Sequence, residues 1–291
     1  MSQLSIVLVS YNAREHLRRC LASLYQHLAA GFEVIVVDNA SPDGSADLVA
    51  REFPAATLVR NPTNAGFSVA ANVGARAAQG DVVLFLNPDS EVDGDPFTGP
   101  AAYLRAHPDV GALGLKVLDP GGSLQLSVRR FPGLANAMFN RYSLLTRLLP
   151  GNRYSRRYLM TDWDHGSLSD VDWVSGACLM TTRRTLATVG HFDEAYFWGF
   201  EDVDFCQRVH RAGLRVVYYP DASVRHEIGA SARTVPLRAI LARHRGMWRY
   251  YRTYLSVFPL VDLAVLAGIA GRCGAQLASA TLRRALTRLR R

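Results

Sequence analysis

Two stretches, Leu4–Ser10 (LSIVLVS) and Phe32–Asp38 (FEVIVVD), decide the fold. Both are apolar, β-branched runs of strand length. That composition fits strands of a sheet covered on both faces rather than strands with one wet side. Between them Leu17, Leu21, Leu24 and Leu28 recur at three- and four-residue steps, the spacing of an amphipathic helix. The three segments together make a βαβ unit.

Working outward, the rhythm repeats. Residues 46–53 read as a helix, Thr57–Arg60 as a short strand, residues 67–79 as an Ala-rich helix and residues 81–86 (DVVLFL) as a buried strand. Further on, residues 110–117 and 122–129 flank Asp119-Pro120-Gly121, a hairpin-like turn. Residues 131–170 are rich in Arg, Tyr and Pro without a period, and are expected to form a mobile acceptor loop. Strand-like 171–180, a helix over about 199–212 and strand-like 214–219 complete the body. The expected class is α/β, a mixed and mostly parallel sheet with helices on both faces, followed by a C-terminal amphipathic helical tail.

With 49% hydrophobic and 20% charged residues in 291, the chain can bury a full core, which excludes disorder and collagen-like repeats. Four cysteines, none in a CxxC pair, exclude a zinc ribbon or a disulfide framework. The net charge of +8 is uneven: from residue 225 onward 13 Arg face two acids, while the preceding 224 residues carry 20 cations and 23 anions. A near-neutral body with a basic tail is not the surface of a duplex-DNA binder, so no nucleic-acid partner is expected. The body is expected over 1–230 and the basic, partly apolar tail over 231–291.

Within that tail, residues 255–271 are apolar but broken by Pro259 and Asp262. At 17 residues the run is at or below the ~17–25 that span a bilayer. Arg272, Arg283, Arg284, Arg288, Arg290 and Arg291 follow, with Leu277, Leu282, Leu286 and Leu289 able to form a stripe between them. The pattern reads as a helix lying in the headgroup region of an anionic leaflet. The plainer reading is a helix packed on the body with a solvated basic face. No secretory leader precedes the first strand, so the expected location is cytoplasmic, peripheral on the inner face of the cell membrane.

In an open α/β sheet, ligands bind beyond the carboxyl ends of the strands. Three expected strands end there in polar groups: Ser10-Tyr11-Asn12, Asp38-Asn39 and Asn87-Pro88-Asp89. Neither GxGxxG nor GxxxxGK[ST] follows the first strand, which excludes a dinucleotide dehydrogenase and a P-loop NTPase. A nucleotide would instead be held by carboxylates, amides and a metal. Asp89 is placed to hold Mg²⁺ or Mn²⁺ on a diphosphate, although an Asx-Pro turn is the commoner reason for such a tripeptide. Glu201, Asp202 and Asp204 open an expected helix. Capping and dipole complementarity, about 0.3–1 kcal/mol per acid, account for one or two of them. Three acids beside Trp198-Gly199-Phe200 point to a general base of raised pKa. His226 follows a strand, where a lone histidine is more often structural than a ligand.

Taken together, SIVLVSYN, VVDNASPDGS, RNPTNAGFSVAANVG, VLFLNPDS, VDWVSGACLM, HFDEAYFWGFEDVDFCQRVHRAG and VVYYPDASVRH resemble glycosyltransferase family 2 in content and order from about residue 4 to 226. Within the family, NPD, the FDE segment and HRGMWRYYR look like bacterial rhamnosyltransferases that use dTDP-L-rhamnose. The resemblance implies the GT-A nucleotide-diphospho-sugar transferase fold. It implies that Ser10, Asn12, Asp38, Asn39, Asn64, Gly66, Asn72 and Asn87 belong to the nucleotide-sugar site. Asp89 and His226 would hold a divalent cation, Mg²⁺ or Mn²⁺. Asp202 matches the catalytic base, with Glu201 or Asp204 as alternatives, and Trp173 and Gly176 would border the acceptor. Asn87 departs from the family's usual first acid and weakens the expected metal affinity.

The implied reaction is an inverting transfer, with L-rhamnose from dTDP-L-rhamnose as the leading donor. The acceptor would be a lipid-linked saccharide, N-acetylglucosaminyl-diphosphoryl-polyprenol in the first instance, in cell-wall or surface-polysaccharide synthesis. Arg129, Arg130, Arg156 and Arg157 could meet its diphosphate, with solvated surface the plainer reading for each. A UDP- or GDP-sugar donor, or a catalytically inactive membrane-associated assembly protein, are the alternatives.

Overall fold

The two founding strands lie side by side. β1 (Leu4–Ser10) pairs in parallel with β2 (Phe32–Asp38) on one edge and with β4 (Val82–Leu86) on the other. The structure is a computed structural model and describes residues 4–28, 31–133, 152–227 and 236–289. Among these, α1 (Arg14–His27), α2 (Ser45–Glu52), β3 (Thr57–Arg60) and α3 (Phe67–Ala77) fall where the periodicity places them. The main sheet runs β3-β2-β1-β4-β11-β6-β12-β5, with β11 (Cys178–Thr182) antiparallel to β4 and β6 (Val110–Leu118), β12 (Arg215–His226) parallel to β6, and β5 (Ser90–Glu91) at the edge. It is the expected mixed, mostly parallel sheet.

Strand alternation explains why the founding runs are apolar from Ile6 to Val9 and from Val34 to Val37, while Ser5 and Glu33 before them bond to each other. Ile6, Leu8, Val34, Val36, Leu84 and Leu86 pack on one face with α1, α2 and α4 (Thr98–Ala106). Their neighbours Val7, Val9, Ile35, Val37, Val83 and Phe85 pack on the other with α3 and α7 (Glu201–Arg211). Both faces are therefore dry, and a polar residue anywhere along these strands would need a buried partner.

Where the structure departs from the sequence reading, a local cause is visible. Residues 122–129 divide into β7 (Leu124–Gln125), paired with β6 across the expected turn, and β8 (Val128–Arg129), paired with β10 (Trp173–Val174) in a second small sheet. Residues 171–180 divide likewise, because the chain breaks at Ser175-Gly176-Ala177 and turns the Gly176 amide toward α7. Of the expected acceptor loop, residues 134–151 lie outside the described residues. The remainder includes α5 (Arg153–Leu159), capped by Asn152 Oδ1, which accepts the Ser155 amide at 2.8 Å. Seven residues are too few to show a helical period.

β5 (Ser90–Glu91), β9 (Ser169–Asp170) and α6 (Arg183–Val189) are short elements around the sheet. The strand read as ending at Tyr219 continues as β12 to His226. A register shift between Tyr219 and Ser223 lets the ladder step past Pro220, which cannot donate to it.

The expected boundary at 230 falls among residues 228–235, outside the described residues. Beyond it α8 (Pro236–Tyr254) docks on the body: Tyr250 is buried with the second core, Tyr254 Oη donates to Asp204 Oδ1 at 2.7 Å, and Arg249 Nε donates to Asp193 Oδ2 at 2.8 Å. Gly246 permits the approach, since a Cβ there would stand 2.6 Å from the Gly199 carbonyl oxygen.

α9 (Pro259–Leu289) folds back along α8. Its apolar sequence carries Asp262 because that carboxylate receives Tyr251 Oη at 2.7 Å and Ser256 Oγ at 2.9 Å, and pairs with Arg252. The helix runs through Arg272, so its apolar part, Pro259–Arg283, reaches 25 residues, long and apolar enough to cross a membrane by length and composition. The expected leucine stripe is not seen as a buried seam: Leu282 is 61% exposed, Leu277 is half-buried, and the side chains of Leu286 and Leu289 lie outside the described residues.

Candidate active site

Strand register assembles the first half of the site. Ser10 stands opposite Asp38 and Leu8 opposite Leu86, so Ser10, Asp38 and Asn87 finish along one edge. β5 then pairs antiparallel with the far end of β12, Ser90 against His226, which sets Asp89 beside the imidazole. His226 Nε2 is 3.2 Å from Asp89 Oδ1 and 3.2 Å from Asn87 Nδ2. On the other side of the ring, Gln125 Oε1 lies 3.0 Å from Nδ1, while Gln125 Nε2 donates to the His226 carbonyl. Because Gln125 Nε2 donates to the carbonyl, Gln125 Oε1 takes a proton from Nδ1, and the ring is held with Nε2 facing Asp89.

An imidazole nitrogen and a carboxylate oxygen, nearly enclosed and held face to face with Gln125 orienting the ring, fit a divalent cation. Among the described residues, no three His, Cys, Asp or Glu side chains gather into a larger metal cluster. A cation at this pair would take its other ligands from substrate oxygens or water, the usual habit of Mg²⁺ and Mn²⁺.

Asn39, Asn64, Gly66, Asn87, Asp89 and His226 line one cavity of about 150 Å³. Asn39 builds its wall: Nδ2 donates to Asn64 Oδ1 and to the Gly66 carbonyl, and Oδ1 accepts from Asn61 Nδ2 and the Ala65 amide. Gly66 is required where this loop meets residue 197, because its φ is +93° and a Cβ would lie 2.6 Å from the Phe197 carbonyl oxygen.

Ser10, Asn12 and Asp38 sit at the strand ends without lining that cavity. Asp38 Oδ2 accepts the Ser41 amide, whereas Ser10 Oγ, Asn12 Oδ1 and Asp38 Oδ1 are buried without a hydrogen-bond partner. Asn72 does not join them. It donates to the Phe192 carbonyl and Glu194 Oε1 and accepts the Phe192 amide, so it ties α3 to the 192–194 segment and the nucleotide-site expectation for it is corrected.

The three acids of α7 part company. Asp202 is half-buried; its Oδ2 accepts the Gly176 amide at 2.9 Å and its Oδ1 accepts the Val203 amide. Burial pushes its pKa up, while those amides and the charge of Arg129 pull it down. Asp204 gives Oδ2 to Arg208 Nε and Oδ1 to Tyr254, which makes it the anchor of α8 and corrects its reading as an alternative base. Glu201 is 6% exposed, and its Oε2 has no partner. Its pKa is pushed up to about 8, first by burial and then by the neighbouring Asp202. Trp173 lies off both cavities, with Nε1 donating to the Arg130 carbonyl and its ring 5.1 Å beneath the Arg129 guanidinium.

A second cavity, about 610 Å³, is lined by Ser175 and Ala177, which flank the Gly176 that bonds Asp202, and by Phe200, two residues before it; Asp202 itself is not among the lining residues. His226 lines both cavities and stands between them. The larger one also takes Arg129, Arg243 and Arg272. Of the four arginines weighed for an acceptor, only Arg129 lines it; Arg130 pairs with Asp172 and Arg156 with Asp162. Gln125, Arg243 and Arg272 were not read from the sequence. The spacing Arg243-Met247-Tyr250 and Val265-Ile269-Arg272, each i, i+4, i+7, was the signal available.

The buried Glu201 sets a pH dependence. A folded-state pKa of about 8 against an ordinary 4.5 means its contribution to stability is complete below pH 4.5 and is lost as pH rises through 8. Thermal denaturation of Glu201→Gln should show a variant more stable than the parent above pH 8, with the gap closing toward pH 5. A difference that does not vary with pH contradicts the buried, uncharged carboxyl.

Known proteins resemble this chain in sequence and in fold. The profile of glycosyl transferase family 2 matches residues 5–163, and that of the N-terminal domain of galactosyltransferase matches residues 169–229. An N-acetylglucosaminyl-diphospho-decaprenol L-rhamnosyltransferase of Mycobacterium tuberculosis is 31% identical over 256 residues, covering 84% of this chain and 82% of that protein. Rhamnosyltransferase WbbL of Escherichia coli is 26% identical over 60% of this chain and 63% of its own. Among solved structures, the mannosyltransferase PcManGT of Pyrobaculum calidifontis, in complex with GDP-Man and Mn²⁺, superposes with a TM-score of 0.59 at 19% identity, over 96% of this chain and 75% of that one. GalNAc-T7 with UDP, GalNAc and Mn²⁺ gives 0.60 at 16% identity over 77% of this chain and 43% of its own. With a family profile covering more than half of the chain and a sheet that superposes on GT-A enzymes, the chain belongs to glycosyl transferase family 2 and is a glycosyltransferase of the GT-A fold.

Proposed function

We propose that the protein transfers a sugar from a nucleotide donor to a hydroxyl of a lipid-linked saccharide, with L-rhamnose from dTDP-L-rhamnose as donor and N-acetylglucosaminyl-diphosphoryl-polyprenol as acceptor, in cell-wall or surface-polysaccharide assembly. The observation that carries the reading is the position of His226. Paired with Asp89, it forms the wall shared by the small cavity at the strand ends and the large cavity beside Asp202. The named activity of the mycobacterial relative supports L-rhamnose as the sugar and this class of acceptor.

In this reading the nucleotide lies over Ser10, Asp38, Asn39, Asn64 and Gly66, whose orphaned buried oxygens at Ser10 and Asp38 suit a polar ligand. A divalent cation held by Asp89, His226 and the donor's diphosphate would supply charge neutralisation on the departing nucleoside diphosphate. Asp202 takes the proton from the acceptor hydroxyl as that oxygen attacks the anomeric carbon from the face opposite the diphosphate. Its carboxylate is fixed by the Gly176 and Val203 amides, and its raised pKa moves it toward the range where a base works best. Asp202→Asn removes the proton acceptor while keeping the side-chain shape and one of the two amide bonds, since only its Oδ1 can accept, and should lower turnover by about 10²–10⁴-fold with nucleotide binding unchanged. Steady-state kinetics beside nucleotide titration checks this, and near-parental turnover removes Asp202 as the base.

We also place the protein at the inner face of an anionic membrane, with the body in the cytoplasm. Phe258, Leu260 and Leu263 at the start of α9 are 65%, 81% and 62% exposed, a cluster that water disfavours. The bonds from Tyr251 to Asp262 and from Arg243 to Gln276 tie α9 along α8, which supports a helix lying on the surface rather than an isolated span. The triple substitution of Phe258, Leu260 and Leu263 by Ser should shift the protein from pelleted anionic vesicles to the supernatant without changing nucleotide binding. Unchanged sedimentation with vesicles assigns membrane contact elsewhere.

A further inference from the structure

The large cavity has two chemistries. Its hydrocarbon wall includes Met247 and Leu255 from the end of the α8 region and Val265 and Ile269 from α9. Against these stand three half-buried guanidinium groups, one from the body and one from each helix: Arg129, Arg243 and Arg272. Arg129 is oriented by its Nε bond to the Leu126 carbonyl and by the rings of Trp173 and Tyr158, and Arg243 by Gln276 Oε1 at 2.7 Å. Asp119 is the acid among the lining residues, and its Oδ1 is occupied by the amides of Gly121 and Ser123 in the β6–β7 turn. Among the described residues, three cations and one committed carboxylate join the apolar side chains in the lining, which is therefore both basic and greasy. At about 610 Å³ it lies within the ~300–1,000 Å³ that small-molecule sites occupy.

We propose that this cavity seats an isoprenyl diphosphate, with the diphosphate between Arg129, Arg243 and Arg272 and the first isoprene units against Met247, Leu255, Val265 and Ile269. The proposal deepens the lipid-linked acceptor of the preceding section and rests on it. Planar guanidinium forks match phosphate oxygens in pairs, and half-burial strengthens each contact relative to water. Arg129 is near enough for its charge to act on Asp202, so a sugar carried on a diphosphate held there extends toward the proposed base. α9 then has two jobs set by its two faces. Val265, Ile269 and Arg272 turn inward to the cavity, while Leu260, Leu263 and Leu266 are exposed on the outside, where a hydrocarbon chain can pass from the leaflet along the helix.

The test titrates the full-length protein with farnesyl diphosphate, inorganic diphosphate and farnesol. The donor site is first saturated with a nucleoside diphosphate and Mn²⁺, so that no diphosphate competes there. Farnesyl diphosphate should bind at least about tenfold more tightly than either fragment, because the basic and the apolar lining are both engaged. The pair Arg243→Gln and Arg272→Gln should weaken farnesyl diphosphate about tenfold or more, and Met247→Trp, which fills space beside the apolar lining, should weaken farnesyl diphosphate while leaving inorganic diphosphate unchanged. Nucleoside diphosphate binding, measured on each variant, reports that the body is folded and that the donor reading stands. Farnesyl diphosphate binding no better than inorganic diphosphate, or unaffected by both sets of variants, overturns the proposal. Loss of nucleoside diphosphate binding in the parent protein would instead count against the donor site.

Discussion

The site depends on one two-residue pairing. β5 holds only Ser90 and Glu91, yet by pairing with Arg225 and His226 at the end of β12 it closes the far edge of the sheet and presses Asp89 against an imidazole 137 residues further along the chain. The register allows little freedom, since a slip of one residue would turn His226 to the opposite face of the sheet. Gln125, brought in by the β6–β7 hairpin, then fixes the ring. Everything proposed about the donor diphosphate follows from that carboxylate and that nitrogen facing one another across the wall between two cavities.

Half of this was legible in the chain. The strands ending at Ser10, Asp38 and Asn87 were readable because a doubly covered strand carries a long apolar run, and the polar residue that closes the run marks the edge. The α7 acids were readable as a group but not by role. Asp202, Glu201 and Asp204 are near neighbours in sequence, and only packing separates an amide-held carboxylate from a buried one and from an anchor for Tyr254. Asn72 was misread for the same reason: a buried amide on a helix has an identical sequence signature whether it meets a ligand or the 192–194 backbone.

The C-terminal helices were the least legible. Periodicity and charge showed a basic, apolar tail, but not that α8 would enter the core through Tyr250 or that α9 would fold back along it. The device that folds it back is a cluster around Asp262, the residue whose charge broke the apolar run in the sequence. A charge that looks like an interruption of a membrane segment is here the partner of Tyr251, Ser256 and Arg252. With α9 held in that position, arginines thirty residues apart, Arg243 and Arg272 to within one position, share a cavity with Arg129 from the body. The hydrophobic outer side of α9 and the basic inner side of the cavity are thus consequences of a single helix-to-helix contact.

The account's central claim is that Asp89 and His226 together receive the cation of a donor complex. Crystals grown with a nucleoside diphosphate and Mn²⁺, measured at the manganese absorption edge, test it directly. An anomalous peak between the Asp89 carboxylate, His226 Nε2 and the diphosphate is the predicted result. A peak bound elsewhere, with Asp89 and His226 still in contact with each other, would contradict the account.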